Sequence, residues 1–331
     1  MPVNNPKISI LIPTLSQGQF IEETILSILD QTYKNFEIII VDGGSTDNTL
    51  SIIKKYEKHI KYWISEKDSG QSSAINKGLK ISSGEIVTWL NSDDRYELTT
   101  LQIVKDAFTN DPEIDILHGK TKLFGEAIKT KIIGLEKDIP LYEYLSYMRF
   151  PQPSSFLKKE FLNSQFLVNE NLHYAMDFEL IARAILLGAK IKRIDDILSH
   201  YRMHKNSKSN DEMKFLTEWA IIVQKILLSL NNKTLAGKME ELELVGHTVT
   251  GKFETTIDLD AKAVETVFLQ HIDLHYHYNY RLFNYKQCAK ISAFLKENYS
   301  SFYLTNNYNK YDFRRKFIPK FVFEIVRRLN N

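Results

Sequence analysis

Cysteine is nearly missing from this chain. Cys288 is the only one in 331 residues, so no internal disulfide can form, and the composition suits a reducing compartment. Long apolar runs are missing too. None approaches the ~20 residues that span a bilayer, and the best candidate, Ala220 to Leu230, is interrupted by Gln224 and Lys225. The start, MPVNNPKISILIPTLS, has a Pro and polar residues where a signal peptide would need a basic start and a long apolar run. A cytoplasmic location is the expectation. Neither sign of charge dominates: 43 Lys and Arg face 41 Asp and Glu, a net charge of +2. Such a balance implies no polyelectrolyte partner, and no nucleic acid is expected. No GxGxxG follows the first strand and no GxxxxGK[ST] occurs anywhere, so a dinucleotide fold or a P-loop finds no support.

What is present is an ordinary globular composition, 43% hydrophobic and 25% charged, long enough for one large α/β domain and a smaller second unit. Buried strands are predicted at Ile8–Ile12, ended by Pro13, and at Phe36–Val41, Lys61–Ser65, Ile86–Leu90 and Ile114–Gly119. Between them, helical spacing of apolar residues predicts helices over Phe20–Thr32, from Ser45-Thr46-Asp47 through Tyr56, over Gln71–Ile81, and around Leu101, Val104 and Phe108. Units of roughly 30 residues alternating in this way predict a mostly parallel, Rossmann-like sheet flanked by helices.

In such a sheet, ligands sit at the carboxyl ends of the strands. The loops after the first, second and fourth strands bring Thr14, Asp42, and Asp93 with Asp94 to that edge. Adjacent carboxylates repel unless a cation or strong donors oppose them, and oxygen ligands of this kind suit Mg²⁺ or Mn²⁺. A bare Ser-Asp-Asp triplet also reads as a turn that caps the next helix. A diphosphate bound at this edge would need a divalent cation.

Three separated segments resemble a known family: ISILIPTLSQGQFIEETILSILDQTYKNFEIIIVDGGSTDNT, then ISEKDSGQSSAINKGLKISSGEIVTWLNSDD, then QPSSFLKKEFL with LHYAMDFELIARAILLGAKIKRIDDILSHYRMHKNSKS. They are similar, in order, to family 2 of the inverting nucleotide-sugar glycosyltransferases, which have the GT-A fold. The resemblance covers about the first 210 residues. It implies that Thr14, Asp42, Asp68 and Asp93 contact the nucleotide and that Asp94 is the direct metal ligand. It departs from the common family pattern at Ser16, where many members have Asn, at Gly43, where many have a second acid, and at Ser73.

By spacing alone, Asp177 at a helix start reads as a cap or dipole partner. The resemblance instead makes it the general base that takes the acceptor hydroxyl's proton. The strand ILSHYRMH carries His200, Arg202 and His204 at period two, on one face. A lone strand histidine is usually structural. The resemblance points to His204 as a third metal ligand, with Arg202 able to neutralise phosphate charge. Asn76 and Gln152 are further candidates. Pro151–Ser155 reads as an extended loop, either a rigid connector or a wall on the acceptor side, and Leu123–Gly134 as a hairpin.

Beyond residue 210 a helical region is expected, with a long helix over Asn210–Leu230. His271 and His275 are four apart, and without a nearby acid motif they read as ordinary side chains. Phe317, Phe321, Ile325 and Leu329 recur every four residues among Arg314, Arg315, Lys316, Lys320, Arg327 and Arg328. That pattern is either an interfacial helix on an anionic membrane or a terminal helix docked on the protein with a basic rim, and Pro319 favours the second.

The expected organisation is a catalytic domain over 1–210 and a helical region over 211–331. The expected activity is metal-dependent, inverting transfer of a sugar from a nucleotide-sugar donor to a hydroxyl of a glycan or lipid-linked glycan, in surface polysaccharide or glycan assembly. A nucleotidyltransferase would need a basic glycine-rich loop, but PTLSQGQF has no Lys or Arg. A silent nucleotide-sugar-binding subunit would not need Asp94 and Asp177 together.

Overall fold

The computed structural model describes residues 5–125, 128–162, 167–246 and 251–318. The chain divides into two units. The first comprises residues 1–144, 148–210 and 254–257, and the second the remainder.

The first unit is built on a single sheet. β1 (Ile8–Thr14), β2 (Phe36–Asp42), β3 (Tyr62–Ser65) and β4 (Ile86–Trp89) lie in the spatial order β3-β2-β1-β4, all parallel. Every β1 residue is buried, because both faces of a parallel sheet are covered. α1 (Ile21–Leu29), α2 (Thr49–Lys55), α3 (Gln71–Ile81) and α4 (Thr100–Asn110) alternate with these strands. Ile21, Ile25 and Ile28 of α1 join Ile10, Ile12, Ile38 and Ile40 in one core cluster. Truncating one such isoleucine to alanine costs about 2–5 kcal/mol.

Beyond β4 the sheet changes direction. β8 (Ser155–Lys158) pairs antiparallel with β4 and with β6 (Ile116–Gly125), and β9 (Ile191–Met203) runs parallel to β6. β7 (Lys131–Ile133) closes the expected hairpin on β6, and the short β5 (Arg95–Tyr96) pairs with β9. The helix expected at Asp177 is α5 (Met176–Leu186), followed by Gly188 at φ +89°.

Three local expectations are corrected. β1 runs through Pro13 to Thr14 instead of stopping. Leu11 directs its carbonyl to Leu90 on the β4 side, so Pro13, two residues on, faces the same side after β4 has left the ladder. Its missing N–H costs no ladder bond. Residues Gln152–Ser154 form a 3-10 turn, not an extended loop. β9 ends at Met203, so His204 lies beyond the strand.

The second unit is helical: α6 (Glu212–Ser229), α7 (Lys233–Glu241), α8 (Ala261–Arg281), α9 (Tyr285–Asn298), α10 (Ser300–Thr305) and α11 (Tyr308–Phe317). Tyr276 and Tyr308 are fully buried at its centre with ring centroids 4.5 Å apart. His271 and His275 are buried on α8, and burial pulls both imidazoles well below their usual pKa, His271 to about 4. They are neutral core side chains, and no cluster of three or more His, Cys, Asp or Glu fit to hold a metal occurs among the described residues.

One buried charge bears on stability. Glu37 of β2 accepts from Ser9 Oγ and Ser83 N–H, both at 2.6 Å, and meets Lys7 Nζ at 2.6 Å. Burial opposes its ionisation, but Lys7, Ser9 and Ser83 prevail and hold its pKa down at about 2. Because the folded value is depressed, this stabilisation is complete above the ordinary carboxylate range and is lost as pH falls from about 4.5 toward about 2. Glu37→Gln is expected to cost roughly 1–3 kcal/mol at neutral pH and to flatten the acid limb. Urea unfolding across that pH range checks this, and an unchanged acid limb in the variant would contradict it.

Candidate functional site

β1, β2 and β4 are neighbours, so their carboxyl ends open onto one edge of the sheet. Thr14 and Asp42 end the first two strands as register partners. Thr14 accepts Gly43 N–H through its carbonyl at 2.9 Å, while its buried Oγ1 has no hydrogen-bond partner among the described residues. An orphan hydroxyl at a strand end is a group in want of a ligand or water.

Asp42 is fully buried and holds its own loop together. It accepts from Gly44 N–H (3.0 Å), Ser45 N–H (2.8 Å), Ser65 Oγ (2.6 Å) and Ser45 Oγ. Gly44, at φ +92°, permits the turn that aims those amides back at the carboxylate. Ser16 stands at φ +53°, in the left-handed region that asparagine enters more readily, which accounts for the asparagine common there in the resembled family. Asp68 receives Gly70 N–H at 2.9 Å and lies over Gly43. A Cβ at Gly43 would meet Asp68 Oδ1 at 3.2 Å. A second acid at position 43 would thus set like charges together, so Asp68 and an acidic residue 43 are alternatives in this arrangement.

Asn91, Ser92, Asp93 and Asp94 follow β4. Asp94 is only 1% exposed. Its Oδ1 accepts the Arg202 backbone N–H at 2.9 Å, and Asn91 Nδ2 lies 3.4 Å from Oδ2. No ion pair reaches it among the described residues. Burial first, and the charge of Asp93 second, push its pKa well above the usual carboxylate value. Asp93 Oδ2 lies 3.1 Å from His204 Nε2. His204 therefore joins the carboxylate pair from beyond β9, its ring packed on Phe20 at 4.9 Å.

Arg202 serves as a clamp. Its Nε donates to the Asp93 carbonyl at 3.0 Å and its guanidinium pairs with Glu23 at 2.6 Å. It lies between the Phe20 and Phe124 rings, 4.7 and 4.5 Å from their centroids. His200, expected on the same face, is instead paired with Glu97 at 2.6 Å.

Asp177 sits in the first turn of α5, half-buried, its Oδ1 against Phe178 N–H at 2.8 Å. Burial raises the Tyr201 pKa, and so do the charges of Asp94, Asp93 and Asp177, so one hydroxyl feels all three carboxylates. Asn76 is placed differently. Its amide pins residues 168–170, donating to the Val168 carbonyl and Glu170 and accepting Val168 N–H. That is a structural post. Gln152 Nε2 donates to the Trp89 carbonyl at 2.8 Å, which ties the 3-10 turn to the end of β4.

Residues 9–156 match the family model described as glycosyl transferase family 2. Apart from Leu145–Tyr147, the match falls within the N-terminal unit. A GalNAc(5)-diNAcBac-PP-undecaprenol beta-1,3-glucosyltransferase of Campylobacter jejuni is 30% identical over 165 residues, covering 49% of each chain. The crystal structure of S. aureus TarS 1-349 in complex with UDP-GlcNAc superposes with TM-score 0.60 at 19% identity, over 88% of this chain and 81% of that one. A mannosyltransferase from Pyrobaculum calidifontis, in complex with GDP-Man and Mn²⁺, superposes with TM-score 0.55 at 17% identity, over 95% and 85%. At these identities the two structures attest the fold. The matched stretch amounts to between 15% and 65% of the length of the first curated relatives.

The carboxylates at this edge suit one or two contacts to a divalent cation. Asp94 is a buried carboxylate in no ion pair among the described residues, and Asp93 beside it in sequence meets His204. Mg²⁺ and Mn²⁺ are commonly held by one or two carboxylates, with substrate phosphates completing the shell. Three other residues of the domain escaped sequence reasoning. Tyr201 was hidden because it alternates with His200 and Arg202 and so faces away from them. Gln71 reaches Asn91 at 2.8 Å, and Lys208 reaches Gln71 at 3.2 Å. Only the Gly70-Gln71 helix start hinted at the first, and nothing local marked the second.

Without metal, a buried and uncompensated Asp94 weakens the fold. Asp94→Asn keeps an acceptor for Arg202 N–H and removes the charge. The metal-free variant is therefore expected to be more stable than the wild type by roughly 1–3 kcal/mol at neutral pH, with the gain shrinking on acidification as the native carboxyl takes up a proton. Thermal unfolding in EDTA measures it. A variant less stable than wild type would mean Asp94 has a structural role.

Proposed function

We propose that this protein is an inverting glycosyltransferase. It moves a sugar from a nucleotide-sugar donor to a hydroxyl of a glycan or lipid-linked glycan, with Mg²⁺ or Mn²⁺ on the donor diphosphate. The observation that carries the reading is Asp94, a buried carboxylate in no ion pair among the described residues, at the mouth of three strand ends, and within electrostatic reach of the same tyrosine as Asp177.

In this reading Asp94 and His204 hold the cation, with Asp93 oriented by His204 beside them. The cation, when bound, supplies positive charge to the departing diphosphate. Thr14, with its orphan Oγ1, and the turn shaped by Asp42 and Asp68 receive the nucleoside. Asp177 takes the proton from the acceptor hydroxyl as that oxygen attacks the anomeric carbon. The new C–O bond forms as the bond to diphosphate breaks, the electron pair leaves on the diphosphate oxygen, and the proton stays on Asp177. Attack from the side opposite the leaving group inverts the anomeric centre.

The UDP-GlcNAc and GDP-Man complexes of the two structural neighbours support a nucleotide-sugar donor, and the Mn²⁺ of the second supports a divalent cation. The undecaprenol-linked substrate in the Campylobacter relative's name supports a lipid-linked acceptor. A single, buried Cys288 fits work in the reducing cytoplasm.

Asp177→Asn is expected to lower transfer by ~10²–10⁴-fold while leaving donor affinity nearly unchanged. Steady-state rates and donor titration, run with whichever nucleotide sugar the wild type turns over, measure the two separately. Proton NMR of the product reports its anomeric configuration. Inversion with a crippled variant supports the mechanism; retention of configuration, or a fully active variant, would overturn it.

A further inference from the structure

The outward face of α11 combines bare aromatic rings with unpaired cations. At 3.6 residues per turn, Phe313 and Phe317 share one face of Tyr308–Phe317, with Lys310 and Arg314 on one flank and Lys316 on the other. Phe313 is 60% exposed and Phe317 69%, their ring centroids 4.9 Å apart. The opposite face is the one the unit uses. Tyr308 is fully buried there, and Asp312 accepts from Ser292 Oγ, Tyr303 Oη (3.0 Å) and Arg315 Nε (2.9 Å). Arg315 is thus neutralised internally. Lys310, Arg314 and Lys316 have no ion pair among the described residues.

An ordinary docked helix turns its aromatic side inward and its charges outward. α11 docks through tyrosines and an ion pair and leaves both its phenylalanines and its free cations to solvent. We infer that this face binds the surface of an anionic lipid bilayer, with the two rings entering the headgroup boundary and the three cations meeting lipid phosphates. Rings flanked by cations match such a surface in both chemistries at once. A second copy of this chain would set the same three cations against each other, which disfavours a copy–copy contact. In the sequence, the residues that follow continue the pattern with Lys320, Phe321, Ile325, Arg327, Arg328 and Leu329. Residues 319–331 lie outside the described residues.

The test uses the full chain and co-sedimentation with vesicles of phosphatidylcholine alone or mixed with phosphatidylglycerol. Binding is expected to the mixed vesicles only, and to weaken with salt. Reversing Arg314 and Lys316 together (R314E with K316E) is expected to lower partitioning on the order of a hundredfold. Replacing both rings (F313S with F317S) should lower it by about tenfold or more. All four side chains are exposed, so circular dichroism and thermal unfolding should be unchanged. Equal recovery on neutral and anionic vesicles would overturn the inference, as would wild-type binding by either pair. Self-association that is lost with the rings, without vesicle binding, would make the face a copy–copy interface and overturn it equally.

Discussion

A carboxylate sealed from water at the end of a strand, in no ion pair among the described residues, sits at the centre of the site edge. Asp94 accepts one backbone N–H from Arg202, and that bond ties the end of β4 to β9 across a sequence separation of 108 residues. Arg202 can hold this position because Phe20, Phe124 and Glu23 grip its guanidinium on three sides. Its side chain is thus committed to the backbone of Asp93 and to Glu23, and the negative charge of Asp94 is left in place. Burial and the neighbouring Asp93 both disfavour the Asp94 charge, and a cation bound there would favour it.

Much of this was legible in the sequence, for physical reasons that differ by element. β1, β2 and β4 announce themselves as unbroken apolar runs because both their faces are covered. α3 shows its limits because Gly70 and Ser82 bracket a clean helical spacing. The Asp93-Asp94 pair could be placed at the right edge of the sheet because it follows a buried strand directly. The rest depends on partners far away in sequence. No local pattern tells that Pro13 faces a side β4 has vacated, or that β8 enters antiparallel between β4 and β6. Arg202 reads as a phosphate ligand by composition, and only its contacts reveal a clamp. Asn76 reads as a site residue by position, yet its amide pins Val168.

The helical unit follows a different logic. Its centre is a set of tyrosines, Tyr276, Tyr303 and Tyr308, whose hydroxyls find Asp312 and Asp273. Burial raises all three phenols, so they remain neutral donors. Because polar-tipped aromatics fill that interior, the phenylalanines of α11 are free to face outward.

The central claim, that Asp94 exists to meet a metal-bound diphosphate, is tested most directly by calorimetric titration of the full chain with UDP and with GDP, in Mn²⁺ and in EDTA. Wild-type protein is predicted to bind at least one of them roughly tenfold or more tightly with Mn²⁺, a gain of about 1.4 kcal/mol or more. Asp94→Asn is predicted to erase that gain while leaving the metal-free affinity near its wild-type value. Equal affinities in Mn²⁺ and EDTA, or a variant that keeps the full Mn²⁺ effect, would contradict the account.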